Sequence, residues 1–336
     1  MEKNQRILTG ITTSGIPHLG NLVGAILPAI ESSNQENTSS FLFLADYHSL
    51  IKNTDSDLTY ESSFEIAACW LACGLDPKKV IFYRQSDVPH IFELAWILGC
   101  LTSKGLLNRA HAYKAAVSEN EQNGNIEIDK GITMGLYNYP ILMAADILMF
   151  NADIVPVGQD QKQHIEMARD IALKFNHHYE ELLTPPEAKI SDVTGILPGL
   201  DGRKMSKSYN NTIPIFANEK LLKKTIMKIQ TNSLEPGEPK DSSTCNVFSI
   251  YKAIASDNEI KDFQKRYDDG IGWGDAKTSL YEKLNEFLSP YKAEYEKIIT
   301  DRSYVESVLR DGSNKALEES SPLIKKIRRS VGIQSF

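Results

Sequence analysis

Ser40 to Ala45 reads Ser-Phe-Leu-Phe-Leu-Ala, an apolar run with no polar alternation and of strand length. A strand of this kind is buried on both faces. A parallel sheet covered by helices on each side provides that environment, whereas a half-solvated antiparallel sheet does not.

The surrounding pattern agrees. Arg6 to Gly10 is β-prone, and a turn-rich stretch from Gly10 to Gly15 leads into helical periodicity from Leu19 to Ile30. Leu58 to Cys73 is a second helix, ended by Gly74. Val80 to Tyr83 is a strand, Ile91 to Cys100 a helix, Tyr139 to Phe150 a helix, Ile154 to Val157 a strand and Asp160 to Phe175 an amphipathic helix. Alternation of this sort predicts an α/β fold, a doubly wound parallel sheet with ligands at the carboxyl ends of its strands. Thr12 to Gly15, Asp46 to His48 and Gly158 to Gln161 are the segments expected there.

Beyond Pro214 strand-like runs cease, and Lys220 to Gln230, Thr278 to Ile299 and Pro322 to Val331 are charged and helical. The 336 residues therefore divide into an α/β domain over 1–213 and a helical domain over 214–336, with Gly195 to Asn211 as a polar, mobile connecting loop. Ser118 to Lys130 reads as a second surface loop. At 41% hydrophobic and 24% charged residues, the composition supplies ordinary globular cores. A formal charge of −7 speaks against non-specific coating of nucleic acid, so any RNA contact is local. The four cysteines, Cys69, Cys73, Cys100 and Cys245, have no metal-ligand or disulfide spacing and read mostly as small core residues. With no apolar run near the roughly 18 residues of a membrane helix and no signal-peptide pattern, a cytoplasmic protein is expected.

Two motifs carry chemistry. His18-Leu-Gly-Asn21 stands where a loop enters a helix, a place that favours anions; Gly20 permits close approach, and His18 and Asn21 offer neutral donors. Alone, such a histidine is as well explained as a cap. Lys204-Met-Ser-Lys-Ser208, after Leu197-Pro-Gly-Leu-Asp-Gly-Arg203, sets two lysines three residues apart with hydroxyls between them, a pattern suited to a polyphosphate.

Together these strings resemble the class I aminoacyl-tRNA synthetases, whose signatures are a His-x-Gly-His variant near the N-terminus and a Lys-Met-Ser-Lys-Ser loop. Tyr139-Pro-Ile-Leu-Met-Ala-Ala-Asp-Ile-Leu148 and Val155-Pro-Val-Gly-Gln-Asp-Gln-Lys-Gln-His-Ile-Glu166 are similar to the tryptophan-specific, bacterial-type branch. The resemblance spans the whole chain and implies a Rossmann-like fold with a C-terminal helical domain that reads the anticodon across a homodimer. It also implies activation of L-tryptophan with ATP and Mg²⁺, followed by transfer to tRNA(Trp). His18, Asn21, Lys204 and Lys207 are then the catalytic set. The ATP site takes these with Thr12, Thr13, Ser14, Gly20, Lys114, Gly158, Gln159, Asp160, Ile196, Met205, Ser206 and Ser208. Asp146 is expected to accept the indole N–H; Tyr139, Met143 and Gln161 surround the amino acid, Leu8 and Val155 wall the ring, and His48 lies near the substrate carboxylate. A buried acceptor suits indole, which offers one donor and no acceptor, and penalises phenylalanine, which leaves that acceptor unpaired. No metal-binding side chains are assigned. His164 and Glu166 are left to packing or surface pairing.

The chain departs from the common pattern at Thr12-Thr13-Ser14-Gly15, where relatives write Gln-Pro-Ser-Gly, and at Ala116, where a second lysine beside Lys114 is usual. The basic run Lys325, Lys326, Arg328 and Arg329 suits either phosphate contact or a solvated helix face. The tyrosine-specific sister enzyme and a non-catalytic paralogue that binds tryptophan or nucleotide are the alternatives. A nucleotidyltransferase would lack the lysine loop.

Overall fold

The computed structural model describes residues 4–190 and 197–334. Five strands, β1 (Gln5–Thr12), β2 (Thr38–Ala45), β3 (Val80–Arg84), β4 (Ile154–Val157) and β5 (Glu187–Ile190), form one sheet in the order β3-β2-β1-β4-β5. Every pairing is parallel. This is the Rossmann-like doubly wound arrangement. The order reverses between β1 and β4, so the crevice for a ligand opens beyond Thr12 and Val157.

Each predicted strand forms, with no end moved by more than two residues and Ile154–Val157 unchanged. β1 runs on through Gly10 to Thr12 rather than turning at Gly10. Glycine is required there because a Cβ would lie 2.5 Å from the Phe43 ring on β2. β5 went unpredicted: Glu187–Ile190 is a charged, mostly exposed edge strand with no apolar run to betray it. The expected loop over Ser118 to Lys130 is partly helical, since the His111–Gln122 helix occupies its first turns. Cys69, Cys73 and Cys245 are buried, and Cys100 is exposed.

The helical C-terminal region does not stand apart from the sheet. Its last helix, Arg302–Ser330, contributes Val305 and Leu309 to the core shared with the Ser56–Ala72 helix, and Ala316, Ile324 and Ile327 to the core on the other side with Tyr83 and Ile91. The crossing occurs at Gly312, where a Cβ would lie 1.7 Å from the Phe82 carbonyl oxygen of β3. The helix thereby covers the edge of β3. Its contacts include Ser313 Oγ donating to Asp87 (3.0 Å) and Arg328 Nε donating to Glu93 (2.6 Å). Arg328 thus has a carboxylate partner within the fold, one that a phosphate would have to replace. Among the described residues no helix is long and apolar enough to cross a membrane.

Candidate active site

His18 caps the helix that starts at Leu19. Its Nδ1 accepts from the Asn21 main-chain N–H (3.4 Å), and Asn21 Oδ1 accepts from the His18 N–H (3.1 Å). The pair satisfies two orphan donors reciprocally. Burial, helped by the charge of Lys207, lowers the His18 pKa to about 4. The ring is therefore neutral at pH 7, and with Nδ1 accepting, the remaining proton sits on Nε2. Neither Nε2 of His18 nor the side-chain nitrogen of Asn21 has a hydrogen-bond partner among the described residues. A Cβ on Gly20 would come within 3.1 Å of the His18 ring and 3.6 Å of Met205 Cβ.

The lysine loop closes over this corner. Lys207 Nζ donates to the carbonyls of Ser14 and Gly15, both at 2.7 Å, and burial lowers its pKa. Lys204 Nζ pairs with Asp160 Oδ2 at 3.4 Å, beyond β4. The two ammonium groups consequently bridge the two banks of the switch point. Leu19 N–H also donates to the Ile213 carbonyl (2.9 Å), tying the exit of the loop to the helix start.

Beside the crevice one acid is buried among apolar residues. Ile7 on β1 pairs with Ile154 on β4, so Leu8 and Val155 stand side by side in the core, and Met143 is packed, half-buried, against the same cluster. Asp146, in the last turn of the Met134–Leu148 helix, is 0% exposed. Gln85 Nε2 donates to both its oxygens (2.8 and 3.0 Å), and His48 Nε2 lies 3.0 Å from Oδ2. Burial raises its pKa; the bonds from His48 and Gln85 oppose that shift. A carboxylate has about four accepting sites, so the three bonds leave room for one further donor. Tyr139 Oη meets His164 Nε2, and His164 Nδ1 meets Gln161 Oε1 at 2.8 Å.

The sequence matches, over residues 1–289, the model of the class I tRNA synthetases of the W and Y type. A tryptophan–tRNA ligase of Neisseria meningitidis is 54% identical over 330 residues, which is 98% of each chain. The chain belongs to the class I tRNA synthetases. Within that family, a tryptophan–tRNA ligase of Xanthomonas axonopodis is 54% identical over 98% of this chain and 77% of its own. The crystal structure of tryptophanyl-tRNA synthetase from Campylobacter jejuni, complexed with ADP and tryptophan, superposes with a TM-score of 0.86 at 41% identity, covering 98% of this chain and 100% of that one.

The sites expected of a class I synthetase gather unevenly. Thr12 and Ser14 are exposed at the end of β1, while Thr13 is fully buried, its hydroxyl without a partner among the described residues. Gly158 precedes the turn Gln159–Gln161, and a Cβ on it would lie 2.7 Å from Asp160 Oδ1. The hydrogen bond from Gln161 and the charge of Lys204 together overcome partial burial and hold Asp160 below the usual carboxylate range. The Met205 side chain is in the core and its N–H is bonded to Leu197, which leaves only its carbonyl for a ligand. Ser206 and Ser208 bond each other through their hydroxyls at 2.8 Å. Lys114 is exposed on the His111–Gln122 helix, apart from these contacts. Ile196 lies outside the described residues.

Two side chains bonded to these candidates escaped the sequence. Gln85 stands just past β3, the same strand-end position that singled out Asp46 to His48, and applying that rule to every strand would have found it. His164, set aside as packing, is buried and joins Tyr139 to Gln161; its spacing of three from Gln161 was the available signal. Glu166 pairs with Lys162 at the surface (3.7 Å).

Proposed function

We propose that this chain is a tryptophan–tRNA ligase, which joins L-tryptophan to ATP as tryptophanyl-adenylate and passes the amino acid to the 3′ end of tRNA(Trp). The observation that carries the reading is Asp146, a fully buried carboxylate with unspent accepting capacity, set among apolar side chains that can wall a slot for a ring. Indole fills such a slot with its ring and spends its single N–H on the acid. The tyrosine-specific alternative is not favoured, since relatives more than half identical over the full chain are tryptophan ligases.

In the first step the tryptophan carboxylate attacks the α-phosphorus in line; one C–O–P linkage forms, and the bond from the α-phosphorus to the bridging oxygen breaks as pyrophosphate leaves. No protein nucleophile is needed, so catalysis is positioning and charge stabilisation. His18, Asn21, Lys204 and Lys207 hold the triphosphate in this reading. The lysines exchange the Ser14, Gly15 and Asp160 oxygens for phosphate oxygens, and Gly158, Gln159 and Asp160 then face the ribose. Mg²⁺ enters as the counter-ion on ATP, with no protein ligand assigned to it.

The helical part, 214–336, serves tRNA recognition, and residues 1–213 carry the chemistry. Homodimerisation is supported by Trp96, 76% exposed beside a groove of about 520 Å³ that includes Phe92, Leu107 and Ile141. The role in translation sets the cytoplasm as the compartment. The test is ATP–pyrophosphate exchange with tryptophan, tyrosine and phenylalanine offered separately. Exchange with tryptophan alone is expected; exchange with tyrosine overturns the pocket assignment, and none at all favours a binding paralogue.

A further inference from the structure

We propose that Asn211 is a positioning residue for adenylate formation, one carboxamide that holds the main chain on either side of Lys204 and Lys207 so that both ammonium groups meet a single triphosphate. This rests on the role given to the two lysines above.

A polar stretch with Gly199 and Gly202 has much backbone entropy to lose, and two long lysines on it would otherwise sample many separations. Asn211 removes that freedom. It is 2% exposed although polar. Its Oδ1 accepts the Ser206 N–H at 2.8 Å, and its Nδ2 donates to the Lys204 carbonyl at 3.1 Å and to Asp201 Oδ1 at 2.7 Å. Its own carbonyl accepts the Leu200 N–H at 2.9 Å. One side chain therefore grips the carbonyl of the first lysine and the amide just before the second.

The surroundings are shaped to it. A Cβ on Gly199 would lie 2.3 Å from the Asn211 carboxamide, so a larger residue there expels it. Asp201, after accepting from Asn211, also accepts from Arg203 Nε (2.7 Å), and the Arg203 guanidinium lies over the Tyr209 ring at 4.3 Å. The Asn211 bond, with Arg203 adding to it, holds the Asp201 carboxyl below its usual range, so this acceptor stays ionised. Only a carboxamide both accepts and donates in this way: aspartate cannot donate, and an aliphatic side chain does neither.

The test uses the full chain and two variants, Asn211→Ala and the near-isosteric Asn211→Asp. Misplacing the lysines by an ångström is expected to lower the turnover of tryptophan-dependent pyrophosphate exchange about 100-fold. The tryptophan dissociation constant, from equilibrium dialysis, should stay within about twofold because the slot is untouched. In Asn211→Ala the Ser206 amide should also lose its protection from hydrogen exchange. Exchange turnover near wild type in both variants, or loss of tryptophan binding in step with turnover, overturns the proposal. If the unaltered protein fails to exchange pyrophosphate, the reading of the lysines fails first.

Discussion

His48 Nε2 lies 3.0 Å from Asp146 Oδ2, on a carboxylate whose two oxygens are also held by Gln85. Asp146→Asn keeps the shape but turns one accepting edge into a donor that faces the donors of Gln85 and His48. The Michaelis constant for tryptophan in pyrophosphate exchange should rise about 10- to 100-fold, equivalent to about 1.4–2.7 kcal/mol. That for ATP should hold. An equal rise in both would remove Asp146 from the amino-acid site.

Lys207 is held by the carbonyls of Ser14 and Gly15. In the proposed reaction its contact with the triphosphate would strengthen as charge moves to the leaving pyrophosphate, so its loss should fall on the transition state more than on the ground state. Lys207→Ala is expected to lower exchange turnover by about 10²- to 10³-fold. Tryptophan binding by dialysis should be unchanged, and a near-normal turnover refutes the role.

What was legible in the chain follows from how each feature is encoded. β2 announces itself because burial on both faces demands an unbroken apolar run, and the lysine loop because its letters are its chemistry. β5 did not, since main-chain pairing at an exposed edge asks nothing of its side chains. The Arg302–Ser330 helix was read only in its last turns, from Pro322, because the middle of its buried stripe is Gly312, Ser313, Ala316 and Ser320, residues too small or polar to register as an apolar face. Asp146 could be named as an acceptor, but the bond from Gln85 joins residues 61 positions apart and exists only once the sheet is built. The mobile loop expected around Lys204 is closed through Asn211, whose partners are mostly main-chain atoms that no side-chain pattern records.

The low pKa of His18 has a sign that can be checked. Its folded value is about 4 against an ordinary 6.5, so between those limits the unfolded chain binds a proton at this position that the folded chain refuses. The associated stability is fully present above pH 6.5 and is lost as pH falls toward 4. Urea unfolding midpoints at pH 7 and pH 4.5 should therefore drop less in His18→Asn, which does not titrate, than in the unaltered protein. Equal drops would mean that the ring is protonated in the native state.

Gly312 sits on the Phe82 carbonyl, and here the obstacle is backbone that cannot swing aside. In an open helix Gly→Ala gains helix propensity, up to about 1 kcal/mol. At this position the added methyl must instead lift the helix from β3, opening both cores that it closes, and a net loss of about 3 kcal/mol is expected. Arg328→Ala provides the comparison: its ion pair with Glu93 is partly exposed and should cost only about 0.2–1 kcal/mol. Urea midpoints for the two variants separate packing from charge as the force that seats the helix. A Gly312→Ala protein as stable as the parent would mean that the helix moves off β3 without loss, and that the strand edge does not depend on it for cover.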